Sequence, residues 1–168
     1  RTAVDVIVAE VKEQSADTAS FTSELLRRMN DASPDPNVEL LLSAAQTRTE
    51  FVDTITTVLA SARIPARMIH GLQLQGRQRD AEPVTWLEVH DGDTWRFFDP
   101  ASGAETLPER FLVWWRGTDA LASIEGGDDL EVDFAIQESY VGAVTIALIV
   151  WLQRTRLGAL GRERVQLL

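Results

Sequence analysis

From Ala62 to Leu72 the chain reads ARIPARMIHGL, and the change of pattern inside this stretch decides the fold. Pro65 disfavours helix at the residue before it. Beyond it Met68, His70 and Leu72 alternate with Arg67, Ile69 and Gly71, the two-residue period of a strand over Ala66 to Leu74. Upstream the period is helical. Val4, Ile7, Val8 and Val11 share one helix face despite the alternation of Val4, Val6 and Val8. Ser15, Asp17 and Thr18 supply capping groups for a second helix carrying Phe21, Leu25, Leu26 and Met29, which ends between Asn30 and Pro36. A short third helix is expected over Val38 to Ala45. A fourth is expected over Thr47 to Ala62, with Phe51, Ile55, Val58 and Leu59 on the face toward the sheet.

Downstream, Val84 to His90 and Thr94 to Phe98 flank Asp91, Gly92 and Asp93, where Asp-Gly suits the positive φ angles of a tight hairpin. After Pro100 the sequence turns irregular, with Gly103, Pro108, Gly117, Gly126 and Gly127. A strand is expected from Leu130 to Ile136, and a last helix from about Glu138 to Arg156 runs into a basic tail of Arg154, Arg156, Arg162 and Arg164. The layout is α+β: N-terminal helices packed on an antiparallel sheet, then a C-terminal apolar helix. Residues 1–46 form the N-terminal helical part, 47–137 the core and 138–168 the C-terminal helix and tail, in one compact body expected from a length of 168 residues.

Composition narrows the chemistry. With 45% hydrophobic and 25% charged residues the chain can bury a core. A net charge of -10 repels phosphate backbones and anionic headgroups, so nucleic acid is not an expected partner. Cysteine is absent, which removes disulfides, thiolate metal sites and cysteine nucleophiles together. Arg1 precedes only a short apolar stretch and no initiator Met is present, so no signal peptide is expected and the chain reads as a piece of a longer protein. The longest uncharged run, Ser139 to Gln153, has 15 residues against the roughly 20 that a membrane span needs. As a helix it would be apolar almost all round and must be covered by the domain, a second copy or a membrane surface.

A helix beginning near Arg48, the ARIPARMIHGL stretch, and WLEV followed by WRFFDP between Trp86 and Pro100 stand in order and together resemble the core of transglutaminase-like proteins of the papain fold. The resemblance covers about Thr47 to Pro100. In that superfamily a Cys opens the helix, a His sits two residues before the Trp, and an Asp precedes the Pro. Here those positions hold Arg48, Val84 and Asp99. The site would need a thiolate, an imidazole to take its proton and a carboxylate to orient the imidazole, and by this counting only the carboxylate is left. With SADTASF from Ser15 to Phe21 ahead of it and GGDDLEVDFAIQ over residues 126–137 behind it, the pattern resembles a bacterial family described as inactive transglutaminases fused to seven transmembrane helices. That resemblance implies an extracytoplasmic, periplasmic soluble domain attached to membrane helices. Members tend to be encoded beside ATP-grasp peptide ligases and retropepsin-like proteases, which implies peptide handling or signalling.

The expected function is therefore a pseudoenzyme that binds a peptide, small ligand or partner protein, without cofactor or metal. Candidate binding residues are Thr47, Trp86, Asp99, Trp114 and Trp115. Trp114 and Trp115 cannot both point inward on an extended segment, so one should be partly exposed. Arg48 beside Asp99 would replace the thiolate and imidazole by a permanent charge pair, the other reading being a solvated arginine. Asp99 also suits a turn cap before Pro100. The rival class is a hydrolase or acyltransferase using Ser43, Thr47 or Thr49, and the third is a structural scaffold. His70 and His90 read as a strand histidine and a hairpin-shoulder histidine. Asp91 and Asp93 crowd the hairpin without the spacing of a calcium loop. A homodimer through the C-terminal helix is a further expectation.

Overall fold

Thr2 and Asp5 open the first helix by capping each other. The Thr2 hydroxyl accepts the Asp5 N–H at 3.3 Å and Asp5 Oδ2 accepts the Thr2 N–H at 3.0 Å, satisfying donors that a helix start leaves without partners. The computed structural model of the chain describes residues 2–74 and 76–119, and beyond them the backbone of residues 122–125, 131–141, 144–154 and 164–167, with side chains there only for Phe134, Ala135 and Ile136. Helix α1 (Ala3–Glu13) buries Ile7 and Val11. Asp17 caps α2 (Thr18–Met29), which buries Phe21, Leu25, Leu26 and Met29. Asp35 caps α3 (Pro36–Leu42), whose start two residues before Val38 follows from Pro36 standing in the first turn, where its missing N–H costs nothing. Thr47 caps α4 (Arg48–Ser61), which buries Val52, Ile55, Val58 and Leu59. Phe51, expected on the inner face, is half-buried at its edge.

Strands β1 (Ala66–Gln73), β2 (Val84–His90), β3 (Trp95–Phe98) and β4 (Phe111–Arg116) form a four-stranded antiparallel sheet in the order β3-β2-β1-β4. The β2–β3 hairpin is in the register expected from its turn, His90 opposite Trp95 and Leu87 opposite Phe98. Gly92 there has φ 110, the conformation that Asp-Gly turns require. Strand β4 falls in the stretch expected to be irregular. Its run FLVWWR shows no alternation of apolar and polar residues because an apolar side chain, Trp114, stands with Arg116 on the exposed face, while Phe111, Val113 and Trp115 on the other are half-buried.

The C-terminal helix is corrected. Residues expected as helix form the second half of β6 (Glu131–Val141) and β7 (Val144–Arg154), paired antiparallel from Glu131 opposite Arg154 to Val141 opposite Val144. Among the described residues no helix is long and apolar enough to cross a membrane. A continuous apolar run carries no period that separates helix from strand, and what decides here is its β-branched content: Val141, Val144, Thr145, Ile146, Ile149 and Val150. Association through a C-terminal helix accordingly has no helix to rest on. Strands β5 (Ala122–Glu125) and β8 (Arg164–Leu167) pair antiparallel, so Arg164 of the expected basic tail stands in a strand. Arg156, Arg162 and the Gly126 and Gly127 pair lie outside the described residues.

The chain divides into two compact units: Arg1–His70, Thr85–Pro108 and Arg116–Thr118 form the first, and Gly71–Val84, Glu109–Trp115 and Asp119–Leu168 the second. These boundaries do not follow the expected segments 1–46, 47–137 and 138–168. In the first unit α1 packs on α2, α3 and α4, and their buried residues join Met68, Leu87, Val89 and Phe98 in one apolar core. The second unit has a smaller core of Leu72, Ala81, Phe134 and Ile136. It is pinned by backbone bonds from Ala81 N–H to the Phe134 carbonyl (2.8 Å) and between Gln78 and Ile136 in both directions (3.1 and 2.8 Å).

Candidate functional site

The start of α4 gathers several polar side chains of the first unit. Thr47 is consumed by the helix: its hydroxyl accepts the Glu50 N–H at 3.2 Å, and Glu50 Oε2 accepts the N–H groups of Gln46 and Thr47, both at 2.8 Å. Those two backbone donors hold the Glu50 carboxyl below its ordinary value. Ser43 likewise donates its hydroxyl to the Leu40 carbonyl at 2.8 Å. Neither hydroxyl is placed as a nucleophile.

Arg48, the first residue of α4, reaches across to β2 and the end of β3. Its Nε donates to the Thr85 carbonyl at 2.9 Å, its Nη2 to Asp99 Oδ1 at 3.2 Å, and its guanidinium carbon lies 5.3 Å from the centre of the Trp86 ring. A cation in the first turn of a helix is disfavoured by the helix dipole, and the Asp99 carboxylate and the Trp86 ring face offset this. Trp86 is 8% exposed and donates its indole N–H to the Thr106 carbonyl at 2.8 Å. Asp99 does both things expected of it. Besides Arg48, it accepts the Ala101 N–H at 3.0 Å and the Ser102 hydroxyl at 2.8 Å, capping the turn that follows Pro100. Burial pushes the Asp99 carboxyl up, but the Ala101 N–H, the Ser102 hydroxyl and the Arg48 charge outweigh it and hold the carboxyl below its ordinary value. Val84 opens β2 one residue before Thr85 and is half-buried in the second unit.

Behind Arg48 runs a chain of hydrogen bonds that the sequence did not reveal. Thr49 Oγ1 lies 3.1 Å from Thr85 Oγ1, which lies 3.1 Å from His70 Nδ1, while His70 Nε2 lies 3.1 Å from the Gly117 carbonyl. A carbonyl only accepts, so in neutral His70 the proton sits on Nε2, Nδ1 accepts from Thr85, and Thr85 in turn accepts from Thr49. Nothing local signals this, since Thr49, His70 and Thr85 lie on a helix and two strands. Burial pushes the His70 pKa down, partly opposed by the Gly117 carbonyl. A histidine whose folded pKa is lowered gives stability that is complete above its ordinary value of 6.5 and is lost as pH falls below it. The melting midpoint is therefore expected to fall as pH is lowered from 7 toward 5.5. That fall should flatten in His70→Gln; an equal fall in both proteins would place the titrating group elsewhere.

The other candidates have separate surroundings. His90 Nδ1 accepts the Gly92 N–H at 3.1 Å and its ring meets Trp95 edge-on at 5.1 Å. Asp91 accepts N–H groups from Thr94 (2.8 Å) and Asp93 (2.9 Å) and is ion-paired with Arg96, which together hold it far below the carboxylate range. Turn chemistry accounts for both residues. Among the described residues no group of three or more His, Asp or Glu side chains is arranged to hold a metal. In the second unit Trp114 is 36% exposed and meets Phe134 edge-on at 6.0 Å, while Trp115 is half-buried. One of the pair faces solvent, as alternation along an extended segment requires.

The structural meaning of the IPAR and WLEV stretches lies in a buried charge cluster. Glu88, whose side chain is 3% exposed, accepts from Arg67 Nε at 2.5 Å and Arg116 Nε at 3.2 Å. Arg67 also stacks on Trp95 at 3.8 Å. These residues hold neighbouring strands together and do not form a site.

Fold and site together define an α+β protein whose α4 terminus presents a permanent cation paired with a carboxylate over an indole ring. A family model described as inactive transglutaminase fused to 7 transmembrane helices matches residues 1–45 of the chain. The match covers α1 to α3 and stops just ahead of Arg48. No curated protein and no solved structure matches the chain.

Proposed function

We propose that the chain is a non-catalytic transglutaminase-like domain with a degenerate papain-like core, which binds a peptide or partner protein at the start of α4. The observation that carries this reading is the Arg48–Asp99 pair over Trp86. Arginine does not lose its proton near neutral pH and cannot serve as nucleophile or base. Valine at position 84 offers no group for proton transfer. The Arg48 side chain is 40% exposed, so N–H groups not used by Thr85 and Asp99 remain available to a ligand carboxylate or carbonyl. The description of the matching family supports attachment to membrane helices, and on this reading the domain lies on the periplasmic side and reports ligand occupancy to them.

The test has a chemical arm and a binding arm. Incubation of the chain with a glutamine-containing peptide and a primary amine is expected to give neither deamidation nor crosslinking, and Arg48→Cys alone is expected to restore neither, because Val84 cannot activate the thiol. An immobilised peptide array is expected to retain the chain on a subset of sequences, with Arg48→Gln and Asp99→Ala losing that subset by tenfold or more. Turnover by the unmodified chain, or retention that is the same in all three proteins, would overturn the proposal.

A further inference from the structure

A cleft in the first unit, of about 490 Å³, lies among residues of α1, the start of α2 and the end of α4, and shares none of the residues of the Arg48 site. Val8, Phe21 and Ile64 give it an apolar floor, and Lys12 and Arg63 line it as well. Its size falls in the range of small-ligand sites.

The charge arrangement distinguishes this cleft from the rest of the unit. In a chain with a net charge of -10, carboxylates are in excess. Among the described residues of the first unit, Arg27, Arg28, Arg48, Arg67, Arg96 and Arg116 are each ion-paired. Lys12 and Arg63 are the two cations there with no ion pair, and both line the same cleft. Asp17 lines it too, and one of its oxygens, Oδ1, serves the α2 cap, accepting the Ser20 N–H at 2.8 Å and the Ser20 hydroxyl at 2.7 Å, so the lining carries two positive charges against one negative. Ser15 and Ser61 donate their hydroxyls to the carbonyls of Val11 and Thr57. The uncommitted cations left for a ligand are therefore Lys12 and Arg63, and Thr18 of the same lining adds a hydroxyl.

The backbone at Arg63 carries an independent mark. Its N–H bonds to the Ala60 carbonyl and the Ile64 N–H to the Leu59 carbonyl, both at 2.9 Å, which closes α4 in the left-handed turn that glycine ordinarily supplies. Arg63 adopts φ 63 in that turn. An arginine there accepts backbone strain that glycine would not, and it places a cationic residue in the lining of the cleft.

We propose that this cleft binds a carboxylate carried on a short apolar body, as presented by the free C-terminal residue of a peptide, with Lys12 and Arg63 holding the carboxylate and Val8, Phe21 and Ile64 the apolar part. The chain is titrated by calorimetry with an N-acetylated tripeptide ending in leucine, with its C-terminal amide, with octanoate and with inorganic phosphate. The expected result is saturable binding of the tripeptide acid, at least tenfold weaker binding of the amide, and no binding of phosphate. Octanoate binding as tightly as the tripeptide would keep the carboxylate assignment and make the source a non-peptidic acid. Arg63→Gly relieves the strained turn, so it should melt roughly 2–4 °C higher while losing tenfold or more in affinity for the acid. Lys12→Gln should lose affinity with its melting point unchanged. Arg48→Gln should bind like the parent, which separates this site from the one at the start of α4. Equal binding of acid and amide, binding of phosphate alone, or full affinity in Arg63→Gly would overturn the assignment.

Discussion

Gly71→Ala is expected to destabilise the protein by about 3 kcal/mol or more. A Cβ at this position would stand 2.3 Å from the Leu112 carbonyl oxygen and 2.7 Å from two atoms of the Phe111 ring. The carbonyl belongs to the backbone of β4 and moves only if the strand moves. Urea unfolding followed by tryptophan fluorescence measures the effect, since Trp114 and Trp115 lie in the same strand. A midpoint within the scatter of the parent would mean that β1 and β4 do not approach this closely at Gly71.

The second large effect is an asymmetry within the buried charge cluster. Arg67→Ala is expected to cost about 2–3 kcal/mol, because it leaves the carboxylate of Glu88, whose side chain is 3% exposed, with the longer Arg116 contact. It also removes a guanidinium stacked on Trp95, a contact contributing about 0.5–1 kcal/mol. Glu88→Gln is expected to cost only about 1 kcal/mol, since the arginines that lose their partner are 37% and 46% exposed and return to water. Chemical unfolding of the two variants side by side measures the difference. Equal losses would mean that the carboxylate is better solvated than its burial implies.

How far the fold was legible follows from where each signal resides. Helices α1, α2 and α4 and the β2–β3 hairpin were read within a residue or two, because capping residues, a 3.6-residue apolar period and an Asp-Gly turn act over a few neighbouring residues. The pairing of Arg48 with Asp99 was anticipated only through a resemblance, since the two side chains are 51 positions apart. The first half of β6 was read as a strand from its alternation between Leu130 and Ile136, whereas β4 and β7 were misread because both are apolar runs, and an apolar run states that a segment will be covered without stating in which backbone form.

By itself the sequence determined that this protein is α+β, that it carries no thiol chemistry, that a second helix is capped from within Ser15 to Thr18 and a fourth begins at about Thr47, and that the chain turns at Gly92. Each is a property of composition or of residues within one turn of each other. Tertiary structure alone decided that His70, Thr85 and Thr49 join in one hydrogen-bonded chain, that Glu88 gathers Arg67 and Arg116, and that Lys12 and Arg63 line one cleft. These groupings depend on strand order and helix packing, which bring distant residues within a few ångströms through burial of surfaces whose partners no local pattern names.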